Sequence, residues 1–278
     1  MKKILFLSLC FVIISYMTEA QQLTTPQAST TQTVKQNFGL SAVELNYSRP
    51  SVKGRKIFGA LVPYGKVWRT GANNATVITF GDEVIIGGKK VPAGKYGLLT
   101  IPEQDQWTII LSKQVDVTSP ADYKQDQDVV RVTSKAEALP FSVETFTIMF
   151  NDVKPNAMSI DLIWDQTLVA LPVETDIDSK IMAQIKSLVE GDNRPYFPAA
   201  MYYMENGKDL NKALAWFDKA VEQNPKAYWA YHQRANLLVK MGKKQEAIAS
   251  ANKSIELAKE AKNADYVTLN ENLLKTLK

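Results

Sequence analysis

Between Glu44 and Asp82 the chain has no acidic residue, yet it carries Arg49, Lys53, Arg55, Lys56, Lys66 and Arg69. A guanidinium grips carboxylate, phosphate or sulfate through two parallel N–H donors. Arg49, Arg55 and Arg69 are therefore candidate anion contacts, with Trp68 as a stacking wall for a sugar ring and Asn73 as an orienting donor. The alternative is structural: Asp122, Asp126, Asp128 and Glu144 would neutralise these cations, and the glycines and prolines among them would be turn chemistry.

Other chemistries have few residues to work with. The chain holds one histidine and one cysteine. A Ser-His-Asp triad, a Cys-His pair or a histidine-based zinc site would each rest on His232, which lies in a helical stretch and reads as a packed side chain. Asp122, Asp126 and Asp128 lie close together, but without the glycine and closing glutamate of a calcium loop they read as a solvated acidic loop. Carboxylates are the plentiful acid–base groups, so the rival function is a hydrolase acting on envelope carbohydrate. No cofactor and no metal centre is indicated.

The elements that position these residues begin after a processing segment. Lys2 and Lys3 precede an apolar run, Ile4 to Ile14, and Thr18-Glu19-Ala20 supplies a small residue for cleavage. Residues 1–20 read as a secretory signal, which places the protein in the periplasm or outside the cell. The run is too short to span a bilayer, and Cys10 inside it, following Leu9, does not fit a lipid anchor. Cleavage removes the cysteine along with Lys2, Lys3 and Glu19, so the mature chain has no thiol and its formal charge falls from +4 to +3. That charge is too small for a nucleic-acid binder.

Residues 21–34 are polar and uncharged and read as a flexible leader. From 35 to 173 the pattern is β. Val77 and Thr79, then Tyr96, Leu98 and Thr100, then Phe146, Ile148 and Phe150, then Ile160, Leu162 and Trp164 each share one face of a strand. Gly87-Gly88 marks a tight hairpin. The expectation is a two-sheet antiparallel sandwich of about ten short strands, with residues 115–137 a long loop holding one strand at 129–133.

Residues 176–278 read as all helix. Ala213 and Phe217 recur 34 residues later as Ala247 and Ala251, Pro225 follows as a stop, and Gly207 and Gly242 split each unit. This resembles tetratricopeptide repeats over about residues 194–261, capped by helices near 178–190 and 264–277. Tyr228, Trp229 and Tyr231 are candidates for a protein-binding groove, against the alternative that such aromatics pack between repeats.

In the β region, Ser48-Arg49-Pro50, Lys53-Gly54-Arg55, Ile57-Phe58-Gly59, 61–65 (LVPYG), 67–73 (VWRTGAN) and Ala93-Gly94-Lys95-Tyr96 together resemble bacterial domain of unknown function 2911. The resemblance spans about residues 35–173. It implies an exported protein, often followed by helical repeats, and it implies no activity. The combined expectation is a non-catalytic binding protein of the periplasm or envelope. Its sandwich would hold an anionic or carbohydrate ligand, and its helices would engage a protein partner.

Overall fold

The computed structural model describes residues 25–190 and 194–277. The expected signal and the first part of the leader lie outside the described residues. The chain divides into two compact units after Thr175.

Among the described residues, the first unit is one antiparallel sheet of nine strands: β1 (Thr30–Phe38), β2 (Ser41–Arg49), β3 (Val77–Phe80), β4 (Val84–Ile86), β5 (Lys89–Val91), β6 (Gly94–Pro102), β7 (Gln106–Ser112), β8 (Asp128–Asn151) and β9 (Ala157–Glu174). Their order is β1-β2-β3-β6-β7-β8-β9-β4-β5. A single buried cluster takes side chains from every strand, among them Phe38, Leu45, Phe80, Ile86, Val91, Leu98, Trp107, Phe146 and Trp164. The sheet therefore folds over one core, as a sandwich does. The expected Gly87-Gly88 hairpin joins β4 to β5, with φ of 55° and 75° at its two turn residues, values a side chain would oppose.

Two expectations need correction. The first strand starts at Thr30, inside the stretch read as a leader, and pairs along its length with β2. It is an edge strand whose side chains are mostly exposed or half-buried, so no apolar alternation marks it. The strands are also not uniformly short. β8 runs for 24 residues and β9 for 18, and β8 begins at Asp128 and continues well past Thr133. Its pairing with β9 shifts register twice, between Ala138 and Thr147. Pro140 and the exposed Phe141 fall in that stretch, and such bulges bend a strand and let it serve both halves of the sheet.

Beyond that bend, β8 curls back toward β2, although β3, β6 and β7 lie between them in the order. The Tyr47 hydroxyl donates to Ile148 C=O at 3.1 Å and accepts from Ile148 N–H at 2.9 Å. Phe146 N–H donates to Pro50 C=O at 2.8 Å, and Val52 N–H donates to Glu144 C=O at 2.8 Å. Together these contacts satisfy a strand edge that would otherwise be open. Burial raises the Tyr47 phenol above its ordinary pKa, so it stays protonated as a donor.

The second unit comprises α1 (Asp178–Glu190), α2 (Tyr196–Glu205), α3 (Leu210–Gln223), α4 (Tyr228–Lys240), α5 (Lys244–Glu260) and α6 (Ala264–Thr276). The repeat positions Ala213, Phe217, Ala247 and Ala251 are fully buried. Pro198 is tolerated because it lies in the first turn of α2, where backbone N–H groups have no helical partner. Where the first repeat has Ala220 the second has Ser254. Its buried hydroxyl donates to Tyr228 C=O at 2.7 Å and accepts from Asn270 Nδ2 at 2.9 Å. At the other end of the unit, Asp178 accepts from Tyr202 Oη at 2.7 Å and pairs with Lys208 Nζ at 2.8 Å.

Tyr47→Phe leaves the Ile148 N–H and C=O buried without their partner, a loss of about 1–3 kcal/mol. Thermal melting should show the β unit's transition falling by about 2–4 °C for each kcal/mol lost. In the helical unit, hydrogen bonds from Lys208 and Tyr202 hold the Asp178 carboxyl below its ordinary pKa. Its contribution is therefore present above about pH 4 and lost as pH falls through the lower native value. In melts taken across pH 2–6, Asp178→Asn should flatten that acid dependence.

Candidate functional site

A cleft of about 430 Å³ opens in the β unit. Its walls are the segment 61–72, the loop residues Val117, Thr118, Ser119 and Pro120, and Trp164 of β9, with Ser29, Pro50 and Arg55 at the margin. Two features hold the 61–72 segment. Trp68 pairs with Thr100 as an isolated bridge, N–H to C=O at 2.7 Å and 3.0 Å, extending the sheet where β3 has ended. Thr70 then takes a φ of +56°, costly for a β-branched residue. It is held there by a hydrogen bond from Thr76 Oγ1 to its carbonyl (2.6 Å) and by contact between its Oγ1 and that of Thr100 (3.1 Å).

The opposite wall is the loop between β7 and β8. Val117 is buried in a small second cluster with Leu99 and Ile110, against which Val67 and Tyr123 also pack. Val117, with Tyr123 beside it, ties the loop down over β6 and β7. The loop backbone passes so close to β6 that a Cβ at Gly97 would sit 2.1 Å from Gln114 C=O. A glycine at 97 is therefore a steric requirement of the cleft wall.

The cations of this region have no carboxylate partners among the described residues. Arg55 donates through Nε to Val52 C=O at 3.0 Å and through Nη2 to Ser51 C=O. Arg69 donates through Nη1 to Thr118 C=O, joining the two walls. Lys66 is exposed on the cleft wall. Of the acids weighed as neutralising partners, Glu144 accepts from the backbone N–H of Lys53. Asp128 accepts from Tyr123 at 2.6 Å and pairs with Arg131 at 3.3 Å. The Tyr123 phenol is pushed up to about 12 by burial and by the Asp128 carboxylate it serves. Burial likewise raises the Asp128 carboxyl, against the opposing pull of Tyr123 and Arg131.

The five candidate residues divide. Arg55, Trp68 and Arg69 line the cleft. Arg49 does not; its Nε donates to Phe146 C=O at 3.1 Å and its Nη2 to Thr147 Oγ1 at 2.8 Å, joining the contacts that close the β8 edge. Asn73, with φ +55°, donates to Ser29 C=O at 2.8 Å and so anchors the approach to β1 beside the cleft. Trp68 is half-buried in an aromatic cluster. One ring face stacks on Trp164 at 5.8 Å and 17°, Phe146 lies 5.1 Å away, and the indole N–H donates to Gly71 C=O at 3.0 Å. Trp68 forms floor more than free wall. Reading the sequence did not single out Trp164 or Val117 as parts of the site. Two valines, Val115 and Val117, in a polar loop were the available signal for the latter.

In the helical unit, Tyr228 stacks edge-on against Tyr266 at 4.9 Å and Trp229 at 5.0 Å, and its hydroxyl accepts from Asn263. Trp229 is 37% exposed and Tyr231 half-buried. His232 is buried as expected, with Nδ1 2.9 Å from Asn270 Oδ1 and Nε2 3.1 Å from Asn236 Nδ2. Asn270 uses its amide nitrogen on Ser254 and Tyr266, so its oxygen is the acceptor and His232 donates from Nδ1. Among the described residues no group of three or more His, Cys, Asp or Glu could hold a metal ion. Nor is any described helix long and apolar enough to cross a membrane.

Sequence comparison agrees with this architecture. The profile described as "Protein of unknown function (DUF2911)" matches residues 29–173, from just before β1 to the end of the sheet. The chain belongs to the DUF2911 family. A tetratricopeptide-repeat profile matches residues 216–249, within α3, α4 and α5. A DUF2911 domain followed by such a repeat suggests a role in protein interaction. No curated protein and no solved structure matches the chain.

Gly97→Ala forces the Gln114 backbone off β6. The overpacking should cost about 1–3 kcal/mol, read as a lower melting temperature of the β unit. Arg49→Ala should likewise destabilise by about 1.5–3 kcal/mol, since it removes a charged donor from Phe146 C=O and from Thr147 Oγ1. Arg55→Ala, at an exposed position, should stay within about 0.5 kcal/mol of the parent.

Proposed function

We propose that this DUF2911 protein is an exported, non-catalytic binding protein of the periplasm or envelope. Its β unit holds an anionic ligand, free or carried on a carbohydrate, and its helices engage a protein partner. The observation that carries this reading is the cleft itself. Arg55, Lys66 and Arg69 meet there without a carboxylate partner among the described residues, and no acidic side chain lines it. Where structural ion pairing is the role, a cation is expected to find an acid; here backbone carbonyls fix the arginines and leave their charge available. The cleft's volume falls within the usual range for small-ligand sites. The same lining favours binding over hydrolysis by a carboxylate pair, because Asp122, Asp126 and Asp128 are not among the lining residues. For the helices, the tetratricopeptide match and the exposed Trp229 support a protein partner.

The reading is tested by titrating the protein with inorganic anions and with neutral and acidic oligosaccharides, using calorimetry. An anionic ligand should bind, and Lys66→Ala combined with Arg69→Ala should weaken it at least tenfold while leaving the fold intact by circular dichroism. A ligand that binds the double variant equally well would refute the cleft as the site. Catalytic turnover of an oligosaccharide, abolished by Asp126→Asn, would refute the non-catalytic reading.

A further inference from the structure

Resting on the cleft as an anion site, we infer that its ligand is a carboxylate borne on an apolar body, gripped by Arg69. Three observations on the same cleft lead there.

The first is the donor inventory of Arg69. A guanidinium has five N–H donors. Thr118 C=O engages one, on Nη1, so the edge formed by Nε and Nη2 has no hydrogen-bond partner among the described residues. That edge is the planar two-donor fork that matches the two oxygens of a carboxylate. Arg69 is half-buried while Arg55 is exposed, and an ion pair at a partly desolvated group is the stronger of the two. Thr118 fixes the fork before any ligand arrives.

The second is the backbone. A tetrahedral phosphate is commonly cradled by several free amide N–H groups of a loop or helix start. Here the amides of Arg55, Val62 and Trp68 already donate to Val52, Ile57 and Thr100 carbonyls. Those three amides are therefore not free to cradle a phosphate, whereas the Arg69 fork remains open.

The third is what lies beside the fork. Leu61, Val62, Val67, Val117 and Pro120 are aliphatic walls. The Trp68 indole is stacked on Trp164 with its N–H engaged. Sugar recognition draws on open aromatic faces and a spread of polar donors, whereas this lining suits hydrocarbon. A free aliphatic or aromatic acid has this chemistry, and so does a peptide C-terminus ending in an apolar residue.

The full-length protein is titrated by calorimetry with octanoate, 3-phenylpropionate, a peptide with a free C-terminal phenylalanine, the amide of each, inorganic phosphate and cellotetraose. At least one acid should bind, with its amide at least tenfold weaker. Arg69→Lys, which keeps the charge and loses the fork, should also cost at least tenfold with an unchanged melting temperature, while Arg55→Lys should cost less. Preference between the free acids and the peptide identifies the source, and either supports the inference. Equal binding of acid and amide, or an unimpaired Arg69→Lys, would overturn it. Binding of phosphate or cellotetraose alone would also overturn it, yet would leave the cleft a ligand site; binding of nothing in the panel would count against both.

Discussion

The β unit depends on how one strand edge is closed. A strand as long as β8 cannot pair along its whole length with one flat neighbour, because twist carries its two ends into different parts of the sheet. Its second half pairs with β9 on one side; among the described residues the other side receives no full strand, only the Ser51–Thr145 bridge. Tyr47, Arg49, Pro50 and Val52 supply the missing partners with a phenol, a guanidinium, a carbonyl and an amide. Each is a modest net contribution, but leaving the same buried groups unpaired would cost more than the bonds gain. The closure also explains why residues just after β2 turn away from the sheet. Having met β8, the chain leaves as the cationic segment that forms the cleft.

That sequence of events gives the arginines different work despite their proximity. Arg49 still belongs to the strand, where its reach is toward Phe146 and Thr147 across the core edge. Arg55 and Arg69 come after the chain has left the sheet, and they are held by carbonyls of the turns around them. A carbonyl aligns a guanidinium without cancelling its charge, as a carboxylate would. Arg69 and Lys66 are thereby kept on one wall with Arg55 at the margin, an arrangement that repels itself unless an anion or solvent screens it. Pre-alignment lowers the entropic cost of binding, which is why anchored side chains discriminate better than free ones.

Much of this was legible in the residues. Alternation located β3, β6, β9 and the end of β8, Gly87-Gly88 located the β4–β5 hairpin, and the 34-residue spacing of Ala213 and Ala247 located the repeats. The failures have physical causes. β1 is an edge strand solvated on most of its side chains, so burial left no pattern in it. The middle of β8 is exposed and interrupted by Pro140 and two register shifts, so it reads as loop. Arg49 was grouped with the binding residues because its partners, a carbonyl at Phe146 and a threonine hydroxyl, have no charge to signal the pairing. Side chains whose partners are other side chains can be guessed from composition; those whose partners are backbone cannot.

The same distinction bears on how a conspicuous sequence block relates to a site. The run from Tyr47 to Asn73 is distinctive enough to mark the DUF2911 family, but its residues are distinctive for several reasons at once. Tyr47 and Arg49 close an edge. Gly59 leaves room for the Tyr64 ring, which a Cβ there would meet at 2.6 Å, so that tyrosine is occupied in packing. Thr70 holds a left-handed backbone through Thr76 and Thr100. Only Arg55, Lys66 and Arg69 combine exposure to the cleft with charge left without an acid. A functional reading of such a block must first remove the residues already explained by folding; the chemistry then lies in what the fold has aligned and left unsatisfied.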